Sequence, residues 1–426
     1  MEKYSKEHLA GLIRSDRVHR DYYIDPRIFE IEKEKIFGKV WVYVGHESLV
    51  PKEGDYYSTT MAGQPVVLSR HTDGKVYVLQ NRCGHRGAQV VAKERGNTRA
   101  FLCMYHGWGF RLNGDLAGVP MKQDFPQQCL EEPESGMLRV PRVESYRGFV
   151  FASFNEEVMP LLDFLGEARG GIDELVNRSP VGEVEFGSGC HRYYFKGNWK
   201  LQMDNMADTY HPAACHGSTV GPDGRQFQRR AGAEGGRAPF FAENGEAIVS
   251  QLGVRGYANG HSSEQSLFDK EQKGGHWDEY RAQMVAAYGE ARTVEILKNV
   301  RHSLTLFPTL DILIAQTSVR VVKPIAVDLT EVEIWPVKLK GAPEVISTDI
   351  VRFVNITHSA SSFIQTDDME AFERCQRGMQ TGGEYILVAR GIGSEVDEGN
   401  GVLFGARSSE VGQRAKHFAW RDLMGA

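Results

Sequence analysis

The chain is expected to be α+β: an all-β N-terminal domain followed by a larger α+β domain built on an antiparallel sheet. Three observations predict this. From Val40 to Phe154 the pattern is short alternating apolar runs separated by turn residues. Past Asn155 helical and extended stretches mix. The 426 residues, 41% hydrophobic and 25% charged, suffice for two ordinary cores.

In chain order, Pro26–Phe37 places Ile28, Phe29, Ile31, Ile36 and Phe37 among charges, a short surface helix with Pro26 near its first turn. Strands are expected at 40–44, 65–68, 76–79, 101–102 and 148–151. The span 161–176 reads as helix and 184–195 as extended. Asn198 is placed to cap a helix opening at Trp199 and running through His216, because its side chain can accept from the first free N–H groups. A helical stretch at 277–300, strands at 312–322 and 331–337, and helices at 345–353 and 367–378 complete the pattern. Residues 1–39 are expected as a helical segment packing on the second domain, with 40–155 and 156–426 as the two domains. Glycine concentrates at 217–236 and 253–275, and both stretches read as long loops or mobile covers.

A net charge of −6 gives no basic excess for nucleic acid or an anionic membrane. Residues 1–23 contain no signal-like apolar core, and no run approaches a membrane span, so a cytoplasmic location is expected. Of six cysteines, Cys129, Cys190, Cys215 and Cys375 form no framework and read as free buried thiols.

The other two carry the most informative feature. Cys83-Gly84-His85 and Cys103-Met104-Tyr105-His106 are separated by seventeen residues. Two thiolates and two imidazoles match a Rieske [2Fe–2S] cluster, in which His replaces Cys on one iron and the potential rises to roughly −150 to +300 mV. They also match the donor set of a zinc site, but zinc fingers pair Cys with Cys and His with His. Here each cluster carries one of each, so two loop tips can clasp a binuclear centre. Gly84, Gly87, Gly107 and Gly109 permit the turns. The implied chemistry is one-electron transfer, which calls for an acceptor.

Asp208, His211 and His216 offer a second metal site. Asp208 and His211, three apart, would share a helix face. His211 and His216, five apart, could bind one metal if Pro212 bends the helix. Two His and a carboxylate with open positions form the facial triad of non-haem iron oxygenases.

With C-x-H-x17-C-x2-H, the Gly197-Asn198-Trp199-Lys200 opening and N-x2-D-x-Y-H-x4-H at Asn205–His216, the chain resembles the catalytic α subunits of Rieske non-haem iron aromatic-ring-hydroxylating oxygenases over nearly its whole length. The resemblance implies that His211 and His216 ligate iron with an aspartate from Asp367-Asp368, upstream of Gln376; it favours Asp368, with Asp367 the rival. It makes Asp208 a bridge to a cluster histidine of a neighbouring subunit rather than a ligand. It places Asn205, His358 and Phe363 at the substrate pocket, His358 being otherwise a helix cap or solvent-facing. Asp204 stands where the family commonly has Glu. The resemblance further implies electrons from a ferredoxin or reductase, since no G-x-G-x-x-G fingerprint follows a strand here, and an α3 or α3β3 assembly. The expected reaction is mono- or dihydroxylation of an aromatic ring with O2, the substrate being an aromatic acid. Oxidative demethylation is the alternative within the class. A pure electron carrier would need neither a second iron nor the roughly 270 residues that follow the cluster domain.

Overall fold

The computed structural model describes residues 3–217, 252–265, 274–298, 300–406 and 408–425. The chain divides into two compact units, Phe37–Leu161 and Met1–Ile36 together with Leu162–Ala426.

The smaller unit is all-β. Val76–Gln80, Gln64–Arg70, Asp55–Met61 and Arg95–Asn97 lie side by side in one antiparallel sheet. Arg142–Tyr146, Phe149–Ser153 and Val42–His46 form another. Phe101–Leu102, Gly109–Phe110 and Leu116–Gly118 form a third. Strand ends shift by a residue or two from the expected positions, which is the ordinary uncertainty of a boundary. Val67, Leu79, Phe101, Trp108, Phe110 and Leu112 pack into one apolar cluster that also encloses Cys83 and Cys103.

The larger unit is built on a nine-stranded sheet, antiparallel throughout its described strands. Its order is His191–Phe195, Leu329–Pro336, Ser318–Ala326, Leu310–Leu313, Arg301–Leu306, Ser262–Gln265, Gly253–Gly256, Val402–Ala406 and Val396–Gly399. In-register partners share a face. Ser262, Thr305, Asp311 and Arg320 therefore form a polar row across one face.

Two of these strands correct the reading of 253–275 as loop. Gly253 and Gly256 serve packing, while Gly260, with φ +82°, lies in the connection between the two strands. A Cβ at Gly253 would lie 2.4 Å from the Phe404 ring, and one at Gly256 2.9 Å from the Val411 carbonyl. The C-terminal helix Val411–Gly425 can settle on the sheet here only because Gly256 has no side chain. The stretch 217–236 lies, after Gly217, outside the described residues.

Other elements break where one was expected. Residues 277–300 form two helices, His276–Tyr288 and Glu290–Leu297, divided at Gly289 with φ +79°. The 312–322 strand is interrupted between Leu313 and Ser318, where Thr317 has φ +55°. The helix at Pro26 runs to Glu32 and continues as a π turn, Lys33–Phe37. It is not a surface element: Ile28, Phe29, Glu32, Ile36 and Phe37 are buried. None of the four scattered cysteines is buried as expected: Cys190 and Cys215 are half-buried, and Cys129 and Cys375 sit on the exposed sides of their helices.

The N-terminal segment is bound into the larger unit by specific bonds. Arg17–His19 pairs with Tyr385–Leu387. Glu32 is fully buried and accepts from Trp199 Nε1 (2.9 Å), Lys200 Nζ (2.6 Å) and Trp420 Nε1 (2.7 Å). One carboxylate thus joins the first helices, the Trp199 helix and the C-terminal helix. Among the described residues no helix is long and apolar enough to cross a membrane.

Candidate metal centres

The two Cys/His loops repeat one backbone pattern. Cys83 N–H donates to Ala88 O (2.8 Å), and Gly87 N–H returns to Cys83 O (2.9 Å). Cys103 N–H donates to Trp108 O (2.8 Å), and Gly107 N–H returns to Cys103 O (3.0 Å). Gly87 and Gly107 have φ +72° and +71°, a conformation costly for any residue with a Cβ. Both cysteines are buried, whereas His106 is exposed. The His85 and His106 rings lie 4.6 Å apart, and His85 stacks on Trp108 at 4.9 Å. Burial pushes the Cys83 thiol up, while the backbone N–H groups of His85 and Arg86 work in favour of the thiolate. Among the described residues buried His85 Nδ1 has no hydrogen-bond partner. Two buried sulfurs, facing imidazoles and an orphaned ring nitrogen fit a binuclear centre better than an empty fold.

In the larger unit the expected helix from Trp199 to His216 is broken. Asn198 Oδ1 accepts from Lys200 N–H (3.1 Å), and the helix runs Trp199–Asn205. Asp208 then captures the Tyr210 N–H (2.7 Å) and the His211 N–H (3.2 Å), a side-chain bond that competes with the helix ladder. Pro212 opens a second short helix, Pro212–Cys215. The break turns both histidines toward the helix Gln365–Gly378. That helix is fixed to the first one by Gln376, whose Oε1 accepts from Asn198 N–H (3.0 Å).

Asp368 Oδ1 lies 3.5 Å from His211 Nε2 and 3.2 Å from His216 Nε2. One ligand atom from each of the three residues falls within 4.8 Å of the others, a set able to hold one ion. Asp367 faces the opposite nitrogen of His216, at 3.3 Å from Nδ1. The Asn205 amide nitrogen is 3.1 Å from both His211 Nε2 and Asp368 Oδ1. Asp208 Oδ2 is 3.7 Å from His211 Nδ1. Burial works against charge on His211, yet Asp208 and Asp368 outweigh it and raise its proton affinity. A metal cation would meet the same negative field. Burial likewise opposes charge on Asp368, but His216, His211 and Arg320 hold it below the usual carboxylate range. Two imidazoles flanking the short helix Pro212–Cys215 and one carboxylate from the helix Gln365–Gly378 suit non-haem iron(II) with open positions.

Residues 40–142 match the Rieske [2Fe-2S] domain family, and residues 186–426 match the ring hydroxylating alpha subunit (catalytic domain) family. The chain belongs to the ring-hydroxylating Rieske oxygenase α subunits. It is 32% identical over 98% of its length to toluate 1,2-dioxygenase subunit alpha of Pseudomonas putida, covering 94% of that protein. It is 31% identical to the anthranilate 1,2-dioxygenase large subunit of Acinetobacter baylyi, over 85% of this chain and 78% of that one. Among solved structures, naphthalene 1,2-dioxygenase with indole bound in the active site superposes with a TM-score of 0.81 at 26% identity, covering 98% and 93% of the two chains. A quaternary ammonium Rieske monooxygenase, 18% identical with a TM-score of 0.69, shares the fold. This oxygenase α subunit uses a [2Fe–2S] Rieske cluster and a mononuclear non-haem iron.

The remaining expected residues of this oxygenase spread out. Asp204 turns away from the triad, accepting from Tyr23 OH (2.8 Å) and lying 3.2 Å from His417 Nε2, so it ties helices together. His358 ends the helix Glu344–Thr357 and is buried, not solvent-facing; its Nδ1 meets Thr357 Oγ1 at 2.6 Å. Burial and the charge of Arg320 hold it well below the usual imidazole range, with Asp368 pulling the other way. Phe363 is 62% exposed. Sequence reasoning missed three charged groups near the triad. Arg320 donates to Gln365 Oε1 (2.8 Å) and approaches Met206 Sδ (2.9 Å). Burial pushes Asp311 up to about 7, and desolvation does the same to Glu264, which accepts from Ser303 Oγ (3.1 Å). The available signal was a lone charge inside each apolar strand run, Asp311 among Leu310, Ile312 and Leu313, and Arg320 between Val319 and Val321.

Proposed function

We propose that this α subunit oxidises the ring of an aromatic acid, giving a cis-dihydrodiol or a phenol, with electrons delivered by a separate ferredoxin or reductase. The observation that carries the reading is the meeting of His211, His216 and Asp368 within one ligand sphere in a chain that also presents the Cys83/His85 and Cys103/His106 loop tips. The curated relatives named for toluate and anthranilate support an acid substrate. When bound, the cluster supplies electrons singly and the iron supplies the O2 chemistry.

The protein's own groups divide the remaining work. Cys83, Cys103, His85 and His106 hold the cluster. His211, His216 and Asp368 hold the iron and leave positions for substrate and O2. Asp367, at His216 Nδ1, accepts from that ring nitrogen and fixes which nitrogen faces the metal. Asp208, 3.7 Å from His211 Nδ1, acts on that ring through its charge and, being part-exposed, can accept an imidazole N–H from a neighbouring subunit, which makes the active unit a ring of at least three. A small β subunit completing an α3β3 assembly belongs to the same reading. Asn205 sits at the mouth of the triad, where its amide can orient a ligand.

The test is product analysis of holoenzyme with a surrogate reductase and a panel of aromatic acids, arenes and N- or O-methylated aromatics. Ring-oxygenated acids are expected. Formaldehyde released from the methylated compounds, with no ring product, would replace this reading by oxidative demethylation.

A further inference from the structure

The polar row under the iron site is incompletely paired. Asp311 and Arg320 are directly opposite one another on neighbouring strands, and both are essentially fully buried. Facing residues in an antiparallel pair have Cβ atoms only ~4.5–5.5 Å apart. Even so, the carboxylate and the guanidinium do not hydrogen-bond. Among the described residues both Asp311 oxygens lack a close hydrogen bond, though the Thr305 hydroxyl acts on the carboxylate from the strand opposite, and Arg320 Nε has no partner. Lys416, whose charge also acts on Asp311, donates instead to the Met203 carbonyl. A buried charge without a full set of partners is expensive, and proteins keep one where a ligand completes it.

The pair also sits beside the chemistry. Arg320 reaches Gln365, which lies one helical turn before Asp368 on the same helix. Its other nitrogen reaches Met206, the neighbour of Asn205, and Asn205 touches both His211 and Asp368. Held by a neutral amide oxygen and a thioether sulfur, Arg320 pairs with no anion among the described residues. Gln365 Nε2, at the same junction, is also buried without a partner.

We propose that Arg320 and Asp311 form the specificity site for the substrate, Arg320 taking a ring carboxylate and Asp311 taking the hydrogen of an amino or hydroxyl group on the adjacent ring carbon. This rests on the aromatic-acid reading of the iron site and narrows it to ortho-substituted acids. The guanidinium fork suits a carboxylate. Asp311 faces the Thr305 hydroxyl but bonds no charged donor, and so suits an N–H or O–H. Their adjacency across one strand pair favours two substituents that are neighbours on the ring. A plain hydrocarbon would leave both buried groups unanswered.

The test uses holoenzyme and titration calorimetry with 2-, 3- and 4-aminobenzoate, benzoate and aniline, alongside turnover. Wild-type protein should bind 2-aminobenzoate about 10-fold or more tightly than the other two isomers, the increment of one added hydrogen bond to a charged group. Arg320→Gln should weaken 2-aminobenzoate and benzoate about 100-fold relative to aniline, with Arg320→Lys partly restoring them. Asp311→Asn should erase the preference for 2-aminobenzoate over benzoate. Iron content and the Rieske spectrum report whether each variant folds, and the isomer comparison needs no variant. Equal affinity for the three isomers, parallel losses for all ligands, or no binding of either acid would overturn the site. Binding with the expected selectivity but no ring oxidation would sink the reaction and leave the site standing. Ring oxidation with unaltered selectivity in the variants would do the reverse.

Discussion

Removing the carboxylate of Glu32 should cost the larger unit more than any ordinary core truncation, because three elements meet on it. Glu32 and Lys200 are 0% and 2% exposed, and the Trp199 and Trp420 indoles complete the shell. Glu32→Ala leaves a buried ammonium and two indole N–H groups without an acceptor. Breaking a buried ion pair from one side costs about 3–5 kcal/mol. The two stranded indoles add roughly 1 kcal/mol each. Chemical unfolding followed by tryptophan fluorescence should therefore show a loss of about 5–7 kcal/mol. The double variant Glu32→Leu/Lys200→Met, which removes both charges, should recover about 2 kcal/mol or more of it. Since the Trp199–Asn205 helix leads into His211, mononuclear iron should be lost in Glu32→Ala before the cluster spectrum changes. A loss below about 1 kcal/mol, or a double variant as unstable as the single one, would refute the reasoning.

Three further outcomes are expected. Gly84→Ala should prevent cluster assembly, because the new Cβ would lie 2.3 Å from Glu134 O and 2.7 Å from Ser135 O, backbone atoms that cannot swing aside; visible circular dichroism of the cluster reads this, and a normal spectrum would contradict it. Asp368→Asn should empty the mononuclear site, whereas Asp367→Asn, which loses only the partner of His216 Nδ1, should weaken iron binding about 10–100-fold; iron titration separates the two, and the reverse order would exchange their roles. Acid should destabilise the larger unit partly through His261. Its Nδ1 accepts from Phe307 N–H (3.1 Å) and its Nε2 meets Phe164 O (2.8 Å), so the fold needs the neutral ring, and burial holds it at about 4. The unfolded chain protonates first, near 6.5, so stability falls as pH drops from about 6.5 and levels off near 4, a total of about 3 kcal/mol. Glu264 and Asp311, pushed up to about 7, act with the opposite sign over that range. The measurement is therefore the difference in pH slope between wild type and His261→Gln, with a shallower slope expected in the variant.

Local signals in the sequence reported local structure well. The Cys/His spacing, the Asn198 cap and the alternating strands at 64–80 each depend on neighbours in the chain, and each has its counterpart in the fold. What failed depended on distant contacts. Gly253 and Gly256 looked like loop residues because composition cannot reveal Phe404 or the C-terminal helix pressing on them. The break after Asn205 arises from Asp208 bonding two backbone N–H groups, a competition that helical periodicity hides. Arg320 and Asp311 were invisible as a pair because their adjacency exists only in the register of two strands. The choice between Asp367 and Asp368 needed the family pattern, and the geometry adds a separate position for each.

The most direct test of the account is a single-turnover experiment on fully reduced holoenzyme mixed with 2-aminobenzoate and ¹⁸O₂. The account predicts that the Rieske signal disappears in proportion to ring product carrying the label, and that His211→Ala protein keeps both its cluster signal and unreacted substrate. Cluster oxidation without labelled ring product, or labelled product formed while the cluster stays reduced, would contradict it.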